Sequence, residues 1–504
     1  LHQGQEYYTM AEMMADSIAL DGVSCLACHQ QSEENLGNLN SGNINFETDR
    51  VAYGPFESPL SSPMLNATQY EPVYSEHISD AGICAGCHTL VTETLDLNGN
   101  YTGNTFVEQA TYHEWLNSEY ATTAVSCQTC HMPELSKGEF YLAAGSETPP
   151  RFKFYLHELA GANVNMLKLM KENADVLDIS ATPLDFDEVI SATEDMLRFQ
   201  TLNTELTALE RTPDTAFLAV RLTNKAGHKF PSGYPARRAF VRLLVTTVSG
   251  DTLFHSGNWD ENYEVIGHDP DYERHYATVR AEDQVQIYEQ VLADVSGAVT
   301  TVLTHADYSL KDNRIPPKGF RKDHTVYDTT LIAGNALLDT DFNENEMGEG
   351  SGADIIYYHI PTQGYYDELF VSMGVYYQSM PPKWMAPMFS EQTPEIDFFR
   401  ELFDEADRTP FLMRENSLTI GGIVSTDEHV PGFEANIRLL ADQLLQINSP
   451  DDAELYLYNY TGQLLKRVSL AAGENTIFVP ASQQMIIAQL RRGKQSISRM
   501  LWVD

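Results

Sequence analysis

Cationic side chains are scarce in this chain of 504 residues: 32 Lys and Arg stand against 72 Asp and Glu, a formal net charge of −40. Such a field repels phosphate backbones and anionic lipid surfaces, so neither nucleic acid nor a charged membrane face is expected as a partner. It leaves room for a cationic partner, a mineral or metal ion, or a redox protein at short range, and otherwise reads as the solvating surface of an extracellular or salt-exposed protein. Long apolar runs are missing too, and without about 20 consecutive apolar residues no membrane-spanning helix is expected. From Leu1 onward there is neither a basic start nor an apolar stretch, so the sequence contains no recognisable signal peptide. Cysteine is limited to six residues. The hydrophobic fraction, by contrast, is 42%, ample for buried cores, and a prior of about 150 residues per domain suggests about three domains.

All six cysteines fall in one pattern written three times: Cys25-Leu26-Ala27-Cys28-His29, Cys84-Ala85-Gly86-Cys87-His88 and Cys127-Gln128-Thr129-Cys130-His131. In Cys-x-x-Cys-His, two thiols one turn apart can form thioethers to the vinyl groups of a haem while the adjacent imidazole ligates the iron. Zinc would have to draw on two pairs, and three pairs do not divide into four-ligand sites without remainder. A dithiol redox motif has no use for a His after the second Cys three times over. The expected cofactors are therefore three c-type haems, with His29, His88 and His131 as proximal ligands. Haem of this kind is attached outside the cytoplasm, so an export signal is expected to have been removed, and Leu1 reads as a mature or truncated beginning.

Each haem iron has a second axial position, and an open one is reactive. Of 15 His, His77 lies seven residues before Cys84, near enough to reach back over a neighbouring haem. His157 follows the third motif and precedes a helix. His2 stands at the extreme start, and His228 sits in the loop Gly227-His228-Lys229-Phe230-Pro231-Ser232-Gly233, whose Gly and Pro fix its backbone. These four are the candidate distal ligands. His113 ranks below them, and the remaining His, among them His275, read as structural.

Residues 1–205 read as a loop-rich, mainly helical tri-haem domain. Helical spacing marks Met10 to Ala19, Phe106 to Tyr120 with Asn104 or Thr105 as cap, Val164 to Leu177 and Asp187 to Thr201. From about Leu206 the period becomes two. Strands are expected at Phe217 to Asn224, Arg237 to Val248, Thr252 to Ser256, Val285 to Ala293, Val299 to Thr304, Asp354 to His359 and Leu369 to Tyr377, with a helix at Pro394 to Ala406. Residues 206–434 thus read as an antiparallel β-sandwich with a peripheral helix, and 435–504 as a small C-terminal β-sandwich. The fold class is α+β, multidomain.

The stretches Asp21 to Gln30, Ile83 to Leu90, Glu108 to Trp115 and Ser126 to Pro133 resemble multihaem c-type cytochromes of the cytochrome c554 and hydroxylamine oxidoreductase-like group. The Gly227 to Gly233 loop, Arg237-Arg238-Ala239-Phe240, Gln284 to Glu289 and Lys311-Asp312-Asn313-Arg314 look like the β domain that follows such haem domains. Relatives often carry further haem motifs upstream, which again implies a clipped start, and tend to have an apolar residue where His113 stands. The tail, with Tyr458-Asn459-Tyr460-Thr461-Gly462-Gln463, is similar to the C-terminal sorting domain of type IX secretion cargo of Bacteroidota, which implies export across the outer membrane. Three function classes follow. The first is an electron carrier working with other redox proteins, or with copies of itself in a filament to which His2 donates a ligand. The second is an oxidoreductase acting on a small nitrogen or sulfur species at a haem with an open axial site. The third is a cell-surface binding protein whose β-sandwiches recognise a partner.

Overall fold

The computed structural model describes residues 9–17, 19, 22–135, 140–141, 150–151, 153–423, 435–440, 443–459, 463–479, 484–493 and 495–503. They form two compact units, Leu1–Gly421 and Gly422–Asp504. Among the described residues no helix is long and apolar enough to cross a membrane.

The first unit begins with short helices separated by loops. Each Cys-x-x-Cys-His motif lies on about one helical turn: α1 (Cys25–His29), α2 (Ala85–His88) and α4 (Cys127–His131), with α3 (Thr111–Leu116) between the last two. The helix expected over Phe106 to Tyr120 loses its first turn to a hairpin of β1 (Leu90–Leu95) and β2 (Tyr101–Gln109), and is helical further on, in α3 and in a turn at Glu119–Thr122. Burial decides the difference, because Phe106 and Glu108 are buried while their neighbours are less so, a period of two. Asn104, the expected cap, donates from its side chain to Asp307 instead. The helix expected at Met10 to Ala19 is confined to Met10–Met14, where Thr9 and Glu12 cap each other reciprocally.

After the third motif come α5 (Val164–Glu172) and α6 (Pro183–Asp195). The latter starts four residues before the expected Asp187. Thr182 accepts from Asp185 N–H, Asp185 returns to Thr182 N–H, and Pro183 takes the first helical position, where a missing N–H costs nothing.

Two sheets then pack face to face. One runs β3 (Leu202–Arg211), β4 (Thr215–Asn224), β6 (Ala353–Pro361), with Thr278–Val279 added in parallel at the edge. The other runs β5 (Arg238–Thr247), β7 (Leu369–Gln378), β8 (Phe411–Ile420), with Thr252–Ser256 and Ile287–Tyr288 on the free side of β5. The parallel edge pair is a departure from the purely antiparallel arrangement expected. β3 and β8 escaped the sequence reading because their outward residues are mostly charged or polar and their alternation is weak. Between the sheets, Leu218, Val220, Leu222, Val241, Leu243, Val245, Ile356 and Met373 are fully buried in one core. β4 belongs to one sheet and β5 to the other, so residues 225–237 cross one end of the sandwich and carry His228 there. The helix α7 (Pro394–Glu405) lies against α5, with Leu402 and Leu169 in a shared cluster.

The second unit is a smaller antiparallel sandwich. One sheet is β9 (Asn436–Leu440), β10 (Leu444–Ser449) and β13 (Gly473–Phe478); the other is ordered β12 (Leu464–Leu470), β11 (Ala453–Asn459), β14 (Gln484–Arg492), β15 (Gln495–Val503). Its core is formed by Ile437, Leu445, Ile447, Leu455, Leu457, Ile486 and Leu490. Tyr460-Thr461-Gly462, within the resemblance to a sorting domain, lies outside the described residues.

Leu243 sits at 0% exposure in the middle of the first core. Replacing it with Ala removes buried apolar area and leaves a cavity, and is expected to cost about 2–5 kcal/mol. Equilibrium urea unfolding of L243A should show a lowered midpoint at unchanged slope.

Candidate functional site

Spacing i, i+3, i+4 puts both thiols and the imidazole of each motif on one side of its single turn. Ser24 and Ser126 stand in extended backbone just before α1 and α4 and begin those turns. The three motifs are neighbours. The Cys84 thiol is raised by its neighbour Cys127 and by burial. Cys28 is raised by burial first and then by Cys84 and Cys87. Burial lowers His88, and His131 and Arg237 add to the effect. Backbone contacts knit the group together: Gly42 N–H donates to Gly86 O at 2.9 Å and Ser41 N–H to Thr89 O at 2.8 Å. A Cβ at Gly86 would meet Ile44 at 3.0 Å and Asn43 O at 3.1 Å, so the second motif approaches this loop as closely as Gly permits.

Two motif imidazoles face a second imidazole. The His29 and His157 ring centres are 6.2 Å apart with planes at 33°, and those of His131 and His228 are 6.4 Å apart at 22°. His29 Nδ1 lies 2.5 Å from Tyr53 O, His131 Nδ1 2.8 Å from Ala160 O, and His228 Nδ1 2.8 Å from Lys229 O. A carbonyl can only accept, so each of these Nδ1 atoms carries the proton and each Nε2 keeps its lone pair. A metal–imidazole bond of about 2 Å plus about 1.1 Å from nitrogen to ring centre puts two imidazoles on opposite sides of one metal about 6.2 Å apart. Both pairs have the spacing and the free nitrogens that a bis-imidazole haem requires.

The other candidates are held differently. His77 is buried, and both its nitrogens are engaged, Nδ1 with Ser75 Oγ at 2.6 Å and Nε2 with Gln31 O at 2.9 Å. Nε2 therefore donates a proton and has no lone pair to offer. With Tyr53 edge-on at 4.7 Å, His77 ties the segment after the first motif to the approach to the second. His113 Nδ1 meets Thr329 Oγ1 at 2.8 Å, and burial lowers its pKa. The structure brings neither His77 nor His113 against a motif imidazole. His2 lies outside the described residues. Among the described residues no second imidazole stands against His88.

Sequence reasoning passed over the polar groups behind His228. Glu114, Lys229, Asp312 and Arg314 form a buried ionic network in which Lys229 Nζ reaches Asp312 at 2.8 Å, Arg314 reaches Asp312 at 2.7 Å and Glu114 at 3.2 Å. Burial lowers Lys229, against the pull of Asp312. The signal for this network was at hand in the charged run Lys311-Asp312-Asn313-Arg314, unusual inside a β region, and in a carboxylate flanked by His113 and Trp115.

A separate cluster in the sandwich, His275, Asp339 and Asp354, has metal-ligand chemistry on paper. Its hydrogen bonds exclude that use. Gln286 Oε1 accepts from Tyr276 N–H and Asn313 Oδ1 from Glu289 N–H, so both amides turn their NH2 groups to His275 Nδ1, at 2.8 and 3.2 Å. Nδ1 must accept, Nε2–H donates to Asp339 at 3.0 Å, and no lone pair is left for an ion. His275 is structural here. Asp354, fully buried and bonded by Tyr288 Oη–H at 2.6 Å, has its pKa raised by burial. A carboxyl raised on folding stabilises the fold below its unfolded value, about 3.9, and loses that contribution as pH rises through the folded value. D354N, which keeps the neutral shape, is expected to gain stability relative to the unsubstituted chain as pH goes from about 4 to about 7. Urea unfolding across that range checks it, and a constant difference would contradict it.

No protein-family model matches this sequence, and no curated protein matches it. Among solved structures, the chain is similar to a penta-heme cytochrome c552 from Thermochromatium tepidum, with 17% identity, 81% of this chain and 79% of that one covered, and a TM-score of 0.43. It is more loosely similar to HBP35 of Porphyromonas gingivalis, with 12% identity, coverage of 65% and 70%, and a TM-score of 0.17. A two-domain fibronectin type III segment from chicken tenascin matches at 7% identity, coverage of 60% and 99%, and a TM-score of 0.16. All three scores are too low to establish a shared fold.

Proposed function

We propose that the chain is a c-type cytochrome with three covalently attached haems that carries electrons at or outside the cell surface. One observation carries the reading: His29 with His157 and His131 with His228 stand at 6.2 and 6.4 Å, each motif imidazole with Nδ1 spent on a carbonyl and Nε2 free. Cys25 and Cys28, Cys84 and Cys87, Cys127 and Cys130 would hold the porphyrins; His29, His88 and His131 would be proximal ligands and His157 and His228 distal ones. The bound groups supply one-electron iron couples. The carbonyls of Tyr53, Ala160 and Lys229 orient the rings and raise their basicity, which favours the oxidised metal and a low potential. The Cys84–Cys127 and Cys28–Cys84 proximities support spacing short enough for transfer within the cluster.

Residues 1–150 contain twenty acidic side chains and two basic ones, Arg50 and Lys137. A basic redox protein is the partner that this surface would draw in. Export and surface attachment through the C-terminal unit belong to the same proposal and rest on the sequence resemblance, and a filament of copies with His2 crossing the interface extends it.

A second reading, an oxidoreductase for a small nitrogen or sulfur species, draws on the His88 region. Arg237 lies close enough to lower His88 and spends one N–H on Ser232 O, leaving donors that could hold an anion.

The tests use the purified holoprotein. Three covalent haems per chain are expected, and H157A and H228A should each turn one low-spin haem into a high-spin one by EPR while the other two signals stay. Spectra unchanged in both variants would overturn the ligand assignment. A high-spin signal in the unsubstituted protein that shifts with nitrite or hydroxylamine would favour the second reading, and an all-low-spin spectrum would exclude it. Electron transfer to a lysine-rich cytochrome should slow several-fold between about 0.01 and about 0.1 M salt, as the screening length falls from about 30 to about 10 Å; a rate indifferent to salt would refute the acidic docking face.

A further inference from the structure

His228 is delivered from the loop joining β4 to β5, far along the chain from the motif it faces, and a loop of this kind needs something to fix it. Six hydrogen bonds do so. Its own carbonyl accepts from Asn224 Nδ2 at 2.7 Å, and its ring Nδ1 bonds Lys229 O. The next residue, Lys229, is then clamped at both ends, its N–H donating to Glu114 Oε2 at 3.0 Å and its Nζ to Asp312 at 2.8 Å and Leu331 O at 2.8 Å. Ser232 Oγ, on the far side of the same loop, donates to the same Glu114 oxygen at 2.7 Å. Glu114 is therefore the point where both arms of the loop meet, and it stands on α3, between the second and third motifs.

The carboxylate is suited to this task. Its side chain is at 0% exposure, its other oxygen faces Arg314 at 3.2 Å, and Arg314 grips Asp312 through two nitrogens at 2.9 and 2.7 Å. Two cations and two anions close a buried, net-neutral network. A neutral acceptor would hold one N–H and one hydroxyl less tightly and leave Arg314 with one partner instead of two.

We infer that Glu114 is a positioning residue for His228: its carboxylate pins the 228–232 loop so that the His228 ring meets the metal opposite His131. The inference rests on the reading that His228 is a distal ligand, and adds that the haem segment itself carries the anchor for the ligand supplied by the sandwich. The contact is also what distinguishes His228 from His157, whose ring is exposed.

The test compares E114Q, S232A and H228A with the unsubstituted holoprotein, reading haem content, EPR and the midpoint potentials. For E114Q the expected result is three haems still attached, a high-spin fraction confined to one of them, a shift in that haem's potential alone, and recovery of the low-spin signal on adding imidazole. S232A should do the same to a smaller extent. E114D, which restores the charge, should return most of the low-spin signal. If H228A becomes high-spin but E114Q keeps the full low-spin spectrum and unchanged potentials, the positioning role is overturned and the ligand assignment stands. If H228A itself changes nothing, the ligand assignment falls and takes this inference with it. A high-spin signal in all three haems together, not reversed by imidazole, would mark general loosening and also overturn the inference. Should E114Q not fold, S232A decides by the same readings.

Discussion

A single type of bond organises the motif region, the one from an imidazole Nδ1–H to a backbone carbonyl. It occurs at His29 with Tyr53, at His131 with Ala160 and at His228 with Lys229. Each instance does two things at once. It selects the tautomer that leaves Nε2 with a lone pair, and it fixes where that lone pair is aimed. The carbonyls come from outside the motifs, so the loops around the short helices must be held to better than the tolerance of a hydrogen bond. That requirement explains the close approach at Gly86 and the bracing by His77, which is buried without facing a motif ring.

The β-sandwich meets the same requirement from the other side. Its core of alternating apolar residues is ordinary, but the loop at its end is not: it carries His228, Lys229, Ser232 and Arg237 within ten residues. Buried ion pairs add little net stability when compared with apolar packing, because the desolvation of both charges offsets their attraction. What the Glu114–Arg314–Asp312–Lys229 network supplies is a fixed geometry. The strand Tyr308–Asp312 with the residues just after it, one helix of the motif segment and one loop cannot shift relative to one another without leaving a charge unpaired. The sandwich is in this sense a support for the site rather than a neighbour of it.

The three motifs were fully legible in the sequence, although the single turns that carry them were not among the expected helices. Most central strands were legible too, since their period of two comes from burial on one side: Thr252–Ser256 matches expectation residue for residue. The second imidazoles were less so. His157 and His228 lie beside motif imidazoles, yet nothing local separates them from His77, which lies nearest to a motif and spends both nitrogens on hydrogen bonds. That distinction depends on Ser75 and on Gln31 O, the latter supplied by a segment more than forty residues away, and no pattern within the His77 stretch encodes it. The helix forecast at Phe106 failed for a similar reason, because a strand partner at Leu90–Leu95 outweighed local spacing. Glu114 was marked only by its place between His113 and Trp115, and its role as a site residue lies in Lys229 and Ser232, which no local pattern ties to it.

The loop between β4 and β5 has a consequence for how the molecule is made. Thioether attachment needs the motif cysteines accessible, whereas the ring of His228 reaches the third motif only after strands on both sheets have come together. If the proposed function holds, attachment and axial closure are separate events in maturation, the first local, the second dependent on finished tertiary structure. On the proposed reading a chain halted between them would hold that iron through His131 alone, and its spin state would report whether the sandwich had formed.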